Sequence, residues 1–385
     1  MVEGLIKGFQ DFIGDDAIRR CKIKKIIEET FQLYGFEPAE TPIIESEEFV
    51  KSGNENDEAV SDIFKLKDKG KRNLALRYEF TFQLKRISKN KKLPYKRYQI
   101  GEVFRDEPVS SNRFRQFTQC DCDVVGSDLK NEAETLVLVK EVFYKLGIKG
   151  DIYFNNRKLM NEILDEFKIN NKEKAIREID KLDKLPESEI KNNLKKYDAE
   201  KILSIFKKPE SYFKKYKNYD DILNLKNICK NYRINLKFLP SLARGLSYYN
   251  GTVVEVKSIG KESICAGGAY LVNGIQSFGV SFGLERICAF AKIKSNENKI
   301  LIISLNRDKE SIEFVEKLRK NRIPCSLFYG KPSKALDYAN AYKFNFAIFI
   351  GDNEIKRKKA TIKDLKSGKI NNIPMNAILN KFMKD

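Results

Sequence analysis

Histidine is absent from all 385 residues of the chain, and this absence removes more chemistry than any other feature of the composition. General bases made of imidazole, Ser–His and Cys–His nucleophile pairs, and metal sites built on histidine are all excluded. Tryptophan is absent too, so aromatic stacking must use the 26 phenylalanines and 17 tyrosines. Any chemistry must therefore rest on arginine, lysine, carboxylates, amides, hydroxyls, thiols and backbone groups.

Long apolar runs are also missing. No stretch approaches the roughly 18 apolar residues of a membrane-spanning helix, and the first residues lack the apolar segment and cleavage site of a signal peptide. The seven cysteines are odd in number and scattered, so they do not form a disulfide framework. We expect a cytoplasmic protein that does not enter a membrane.

Positive charge is in excess. The chain has 73 lysines and arginines against 54 acidic residues, a net charge of +19. Such an excess favours a polyanionic partner such as nucleic acid, because basic side chains release counterions from phosphates. A lysine-rich, solvated surface without a partner is the alternative.

The hydrophobic pattern predicts several segments. Apolar spacing of three and four residues predicts a helix over 15–34 and another over 131–147, with antiparallel strands between them near 98–105 and 117–126. Residues 155–235 are charge-dense with helical periodicity, which indicates a helical insertion. Strands return over 236–296. From 299 onward, the apolar runs KILIISL and FNFAIFI alternate with helices and predict a small α/β domain with buried parallel strands.

The segment FTQCDCDVV (117–125) carries an unusual row of side chains. In a strand, alternate residues share a face, with roughly 6.6 Å between same-face neighbours. One face therefore carries Phe117, Gln119, Asp121 and Asp123, and the other carries Thr118, Cys120, Cys122 and Val124. This row fits a binding face, with the arginines at 105, 113 and 115 nearby for phosphate and Phe117 for stacking on a base. A half-exposed strand with outward aspartates is the alternative, and the CxC pair lacks the second ligand pair of a metal site.

Several motifs together carry a family resemblance. FRDE (104–107), a loop and RFRQF (113–117) resemble motif 2 of class II aminoacyl-tRNA synthetases, SFGVSFGLERI (277–287) resembles motif 3, and FEPAETPIIE (36–45) with Pro42 resembles motif 1. LARGLSYYNGTVVEV (242–256) is similar to the R-G-x-x-Y-Y signature of histidyl-tRNA synthetases. LRYEFT, TQCDCDVVG and IKGFQDF resemble the archaeal and eukaryotic branch of that family.

The resemblance implies a fold and an activity. The expected fold is an α+β class II synthetase core, an antiparallel sheet with flanking helices, with a helical insertion and a C-terminal α/β anticodon-binding domain. The expected division is 1–154 and 236–296 for the core, 155–235 for the insertion and 299–385 for the anticodon-binding domain. The expected reaction joins L-histidine to tRNA(His) through a histidyl-adenylate, using ATP with Mg²⁺. Motif 1 implies a homodimer.

The resemblance also implies roles for single residues. Catalytic roles fall to Arg105, Arg244 and Arg286. ATP would be bound by Arg105, Glu107, Arg113, Phe117 and Arg286. Histidine would be bound by Glu79, Thr81, Gln119, Asp123, Arg244, Tyr248 and Tyr249. No protein metal site is expected.

The chain departs from the family pattern at three positions. Ser247 stands where the signature commonly has aspartate, and Ala269 stands where GGRY has arginine. Thr118 replaces a frequent histidine, but the strand pattern turns it away from the polar row. A contact of the missing aspartate and the role of the missing arginine are therefore in doubt.

Two other functions stay open. A non-catalytic paralogue that senses histidine or tRNA would share the fold, since fold does not imply function. Such relatives tend to lose catalytic arginines or the C-terminal domain, whereas this chain keeps both. Another class II specificity is opposed by the RGLSYY stretch. The basic segment 355–368 could contact tRNA or form a solvated hairpin.

We predict that the affinity for tRNA falls steeply with salt while the affinity for histidine hardly changes. About six phosphate contacts would weaken tRNA binding roughly 10³-fold between 50 and 200 mM salt. Filter binding of tRNA(His) and calorimetry with histidine over the same salt series would measure both. A tRNA affinity insensitive to salt would contradict the charge argument.

Overall fold

The computed structural model describes residues 4–51, 62–110, 113–183, 185–244, 248–258, 263–294 and 298–382. The chain divides into two compact units, Met1–Ser295 and Asn296–Asp385. The four-part division predicted above is finer than this and stays a prediction.

The first unit is built on a sheet of eight strands and a smaller sheet of three. In chain order the strands are β1 Glu37–Pro38, β2 Ile44–Ser46, β3 Lys65–Lys67, β4 Asn73–Leu76, β5 Tyr95–Phe104, β6 Gln116–Val125, β7 Gly150–Asn156, β8 Leu236–Phe238, β9 Tyr249–Ser258, β10 Ser263–Val272 and β11 Ile275–Gly283. The large sheet has the order β1-β5-β6-β11-β10-β9-β7-β8, and the small one β2-β4-β3. The run from β5 to β7 is antiparallel throughout, as predicted, and only β1 and β8 join in parallel.

Helices flank this sheet. They are α1 Gly14–Leu33, α2 Glu47–Lys51, α3 Thr81–Ile87, α4 Leu129–Lys145, α5 Arg157–Glu166, α6 Lys172–Ile179, α7 Glu187–Lys195, α8 Ile202–Phe206, α9 Tyr219–Asn231 and α10 Leu284–Phe290, with 3₁₀ turns at Asp180–Asp183 and Glu210–Lys215. The charge-dense segment after β7 is helical, as its periodicity predicts. α2 ends at Lys51, and residues 52–61 lie outside the described residues.

Local signals explain the ends of the long helices. The Asp128 side chain accepts hydrogen bonds from the backbone N–H groups of Lys130 and Asn131. The Asn131 side chain in turn accepts from the Asp128 N–H, so α4 begins with a complete capping box. Gly35, with φ of +76°, follows α1 in the left-handed region that glycine tolerates.

The large sheet has one apolar and one polar face at β6. Cys120, Cys122 and Val124 belong to the main hydrophobic core together with Phe31 of α1 and Val139 of α4. The prediction of which β6 residues share a face is therefore confirmed. The opposite face, with Gln119, Asp121 and Asp123, is left for polar contacts.

The second unit is a mixed sheet with helices. Its strands are β12 Ile300–Ser304, β13 Cys325–Tyr329, β14 Phe346–Ile350, β15 Lys359–Asp364 and β16 Ile370–Pro374, and its helices are α11 Asp308–Lys320, α12 Pro332–Ala341, α13 Asp352–Arg357 and α14 Ala377–Phe382. β12 pairs in parallel with β13 and β14, which confirms the prediction from the two apolar runs. β15 and β16 are antiparallel, so the basic segment 355–368 includes one arm of a hairpin.

None of the helices in the described ranges combines the length and the apolar character needed to cross a membrane.

Glu132 in the first turn of α4 generates a prediction about stability. Its side chain is buried, and burial raises its pKa from 4.5 to about 7, although a hydrogen bond from Thr252 lowers it. Because the folded pKa exceeds the unfolded one, the folded state gains protons, and stability is lost as pH rises from about 4.5 to about 7. Because glutamine does not titrate, we expect Glu132→Gln to reduce this loss of unfolding free energy by roughly 1–3 kcal/mol.

Urea unfolding of the first unit between pH 4.5 and 8 would measure this difference. Asp151→Asn, which alters an exposed carboxylate paired with Lys237, is the control. Parallel pH profiles of the wild type and Glu132→Gln would show that Glu132 does not titrate as described.

Candidate active site

The polar face of β6 is flanked by a glycine on each of the two neighbouring strands. Gln119, Asp121 and Asp123 are each at most 8% exposed. Gly101 of β5 pairs with Gln119, and Gly279 of β11 pairs with Asp123. A Cβ at Gly279 would lie 2.0 Å from Asp123 Oδ1, so only glycine permits this carboxylate to occupy its position.

Asp123 is held by two residues that the sequence did not reveal. The Tyr270 hydroxyl of β10 donates to Asp123 Oδ1, and Arg97 Nη2 of β5 lies 3.4 Å from Oδ2. Burial raises the pKa of Asp123, while Arg97 and the Tyr270 bond oppose that rise. Arg97, a cation inside an otherwise buried strand, was the one signal in the sequence that could have suggested an acidic partner.

Three tyrosines line the site beside Asp123. The Tyr248 ring lies 4.9 Å from that of Tyr249 and 5.5 Å from that of Tyr270, centroid to centroid. The Tyr248 hydroxyl donates over 3.5 Å to Glu79 Oε2 and is also hydrogen-bonded with Thr81. These contacts bring the start of α3 close to the start of β9, two segments that carry predicted histidine-binding residues.

Tyr249 connects this group to Arg244. Burial raises the pKa of Tyr249 to about 12, with Arg244 lowering it and Glu79 and Asp123 raising it. The charges of all three residues therefore act on one buried phenol. Arg244 is thus close to the carboxylates of the site.

Arg244 is itself fixed by a carboxylate that the sequence analysis missed. Its φ is +57°, and its Nη1 donates to Glu255 Oε1 over 3.1 Å. Glu255 is buried on β9, and its Oε2 lies 3.3 Å from Lys257 Nζ. Ser247, the first departure from the family pattern, lies outside the described residues.

A second group of residues lies at the start of β6. The Arg105 guanidinium lies 5.1 Å from the centroid of the Phe117 ring, and its Nε donates to the Tyr78 carbonyl over 3.1 Å. Glu107 Oε2 lies 2.5 Å from Arg113 Nε. An arginine over an aromatic ring, with a second arginine close by, can bind a phosphate beside a flat ring system.

Arg286 and the other departures have different surroundings. Arg286 Nη1 of α10 donates to the Ser263 carbonyl of β10 over 2.9 Å. Its place beside phosphates stays a prediction. The Thr118 side chain accepts a hydrogen bond from Arg20 of α1, away from the polar row, as predicted, and Ala269 is part of the main core.

The two groups give the site opposite charge at its two ends. Arginines and an aromatic ring at the start of β6 suit a nucleotide, and buried carboxylates and phenols farther along suit a cation with hydrogen-bonding groups. Within the described ranges, no three acidic or thiol side chains are placed to hold a metal ion. The two cysteines of CxC face the apolar core instead.

Comparison with known proteins agrees with this arrangement. The profile of the family described as Histidyl-tRNA synthetase matches residues 8–287, and that of the Anticodon binding domain matches residues 299–385. Histidine--tRNA ligase 1 of Bacillus cereus is 33% identical, with 97% of this chain and 95% of the relative covered.

Solved structures share the fold. A histidyl-tRNA synthetase from Nostoc sp. PCC 7120 is 23% identical with a TM-score of 0.86, and 99% of each chain is covered. An ATP phosphoribosyltransferase regulatory subunit/histidyl-tRNA synthetase from Bacillus halodurans is 18% identical with a TM-score of 0.77, covering 90% of this chain and 98% of that one. From the family profile and the near-complete match to the Bacillus cereus enzyme, the chain belongs to the histidyl-tRNA synthetase family.

Proposed function

We propose that this chain activates L-histidine with ATP and transfers it to tRNA(His), and that the polar face of β6 carries both small substrates. The supporting observation is the order of side chains along this strand. Phe117 lies under Arg105, Gln119 is buried next, and Asp123 lies among the tyrosines. This order matches adenine, ammonium and imidazole along one histidyl-adenylate.

The nucleotide occupies the start of β6 in this proposal. Phe117 stacks on the adenine ring, and Glu107 accepts from its edge. Arg105 binds the α-phosphate, and Arg113 and Arg286 bind the outer phosphates. In the structure Glu107 pairs with Arg113, so this ion pair must rearrange when ATP binds.

The amino acid occupies the far end. Glu79, Thr81 and Gln119 receive the α-ammonium group, while Asp123 and Tyr249, with Tyr248 beside them, read the imidazole. A carboxylate accepts the N–H of the ring and a phenol serves the other nitrogen. Because Tyr270 and Arg97 already fix Asp123, the pocket is set before histidine arrives. A competitor without the ring nitrogens would leave these buried groups unpaired, which is a strong ground for rejection.

The first reaction step needs no general base. The histidine carboxylate is already an anion when it attacks the α-phosphorus, and pyrophosphate leaves. Catalysis then consists of alignment and charge compensation by Arg105, Arg244 and Arg286. The proton of the tRNA ribose hydroxyl, lost in the second step, must go to a group other than a protein histidine.

Mg²⁺ enters with ATP in this proposal. Glu255 pairs with the catalytic Arg244 and would supply a carboxylate oxygen, the kind of ligand that Mg²⁺ prefers. When bound, the ion would neutralise phosphate charge. The residues of this chain hold the arginines and the substrate around it.

The regulatory alternative has the same fold, as the Bacillus halodurans structure illustrates. Two features favour the enzyme. Arg105, Arg244 and Arg286 are all present, and an anticodon-binding profile matches the second unit. Cytoplasmic location and kinship with the archaeal and eukaryotic branch are finer proposals; the Bacillus cereus relative is bacterial.

A homodimer is proposed from exposed apolar side chains near motif 1. Leu33 at the end of α1 is 69% exposed, and Ile43 and Ile44 in the motif 1 segment are 42% and 50% exposed. Exposed apolar side chains close together in the chain favour an interface. With two-fold symmetry, the same surface of both subunits would form the interface, so each contact would occur twice.

We predict histidine-dependent ATP–pyrophosphate exchange that Arg244→Ala lowers by about 10²- to 10³-fold, because a guanidinium facing the developing charge is lost. Arg319→Ala, an exposed arginine in the second unit, should leave exchange unchanged. A panel of amino acids tests specificity. Histidine binding without exchange would identify a regulatory protein instead.

We predict that Ile44→Glu shifts the protein from a dimer toward the 44.6 kDa monomer in sedimentation, because symmetry places the new charge twice in an apolar interface. Tyr144→Glu, at an 80% exposed aromatic on α4, is the control. A monomeric wild type would refute the dimer.

A further inference from the structure

Asp121 is the member of the polar row for which neither the family resemblance nor the proposed roles give a function. It lies on β6 between Gln119 and Asp123, pointing the same way, and is 8% exposed. Its cross-strand neighbours are Gln99 on β5 and Ser281 on β11. A carboxylate in this position needs donors or a cation, because burying an unpaired charge is costly.

Two buried acceptor oxygens in this part of the site lack hydrogen-bond donors in the described structure. In the described part of the chain, neither Gln119 Oε1 nor Asp121 Oδ1 has a hydrogen-bond partner. The two residues are linked through Ser281: Gln119 Nε2 donates to Ser281 Oγ over 2.7 Å, and the serine is hydrogen-bonded to Asp121. This link fixes the orientation of Gln119 and leaves its carbonyl oxygen available.

The matching ligand group is an ammonium. It carries three N–H donors and a positive charge, and so can satisfy several acceptors at once. Asp123, by contrast, already has Tyr270 and Arg97 as partners. Asp121 has Ser281 as a partner, but its Oδ1 has no hydrogen bond in the described structure.

We propose that Asp121 is a substrate-binding carboxylate that receives the α-ammonium group of histidine together with Gln119, and that it exchanges a bound proton for this group. The inference rests on the proposed function, because it takes histidine as the ligand. In the free protein the proton satisfies the buried carboxyl; in the complex the ammonium does. The O–H bond of the carboxyl group breaks, its electron pair stays on the carboxylate, and the proton goes to solvent.

The charges around Asp121 agree with this exchange. The pKa of Asp121 is raised to about 7, mainly by burial and then by Asp123 and Glu79, while Ser281 and Arg97 lower it. These groups come from β6, β11, β5 and the segment before α3. An ammonium placed beside Asp121 and Glu79 would favour the ionised form. Histidine affinity should therefore fall roughly tenfold per pH unit below about 7.

Calorimetry with the full chain tests the proposal directly. Histidine is titrated at pH 6, 7 and 8 in two buffers of different ionisation enthalpy, which gives affinity and proton release. We expect the wild type to release about half a proton at pH 7 from this site. Asp121→Asn should lose that release and bind histidine roughly 10- to 100-fold more weakly at pH 8, with ATP affinity unchanged.

Three comparisons separate a contact from a structural effect. Imidazole lactate, which has the ring but a hydroxyl in place of the ammonium, should bind wild type and Asp121→Asn alike. Ser281→Ala should move the midpoint of the pH dependence upward, since the serine lowers the Asp121 pKa. Glu132→Gln removes a different buried acid, one that has no proposed part in substrate binding, and should leave histidine binding unchanged.

The outcomes are distinct. Unchanged proton release in Asp121→Asn, equal loss of histidine and imidazole lactate, or an unmoved midpoint in Ser281→Ala would each overturn the proposal. If the wild type bound histidine with the expected proton release but catalysed no pyrophosphate exchange, the proposed role of Asp121 would hold and the ligase function would be refuted. A wild type that binds no histidine would overturn both.

Discussion

The pairing of Arg97 with Asp123 inside the central sheet is the interaction on which the site depends. Arg97 is 1% exposed, and the face beside it also buries Asp121 and Glu79. Removing one partner of a buried ion pair leaves an uncompensated charge, so each holds the other in place. The acids on this face outnumber the arginine, and the balance is restored when a cationic group enters. Stability and substrate binding are therefore set by the same charges.

Glycine makes this packing feasible. A Cβ at Gly267 would lie 2.0 Å from the Gly279 carbonyl oxygen, and one at Gly268 would lie 2.8 Å from the Tyr249 ring. Strands β10 and β11 thus approach each other and the tyrosines more closely than side chains allow. The glycine-rich stretches serve to place Tyr249, Tyr270 and Asp123 in one layer, and this explains why an aromatic pocket can lie directly on a sheet.

Much of this architecture could be predicted from local pattern, and the rest could not for a definite reason. A period of two assigned the β6 faces correctly, and continuous apolar runs revealed the parallel strands of the second unit. The partners of Asp123 and Arg244 were missed, because they depend on pairing between distant segments. Tyr270 is 147 residues from Asp123, and only the β10–β11–β6 register brings them together. Position along one strand carries no such information.

The lack of histidine fits the chemistry that this geometry supports. Joining an existing carboxylate to phosphorus calls for fixed positive charge, and arginines held by Glu255, the Tyr78 carbonyl and Phe117 provide it. The groups whose pKa values burial brings toward neutrality are carboxylates instead, with Asp121 at about 7. The pocket has no imidazole of its own and recognises the imidazole of the substrate through carboxylates and phenols. Its proton exchange takes place on the face of the sheet where the substrate binds.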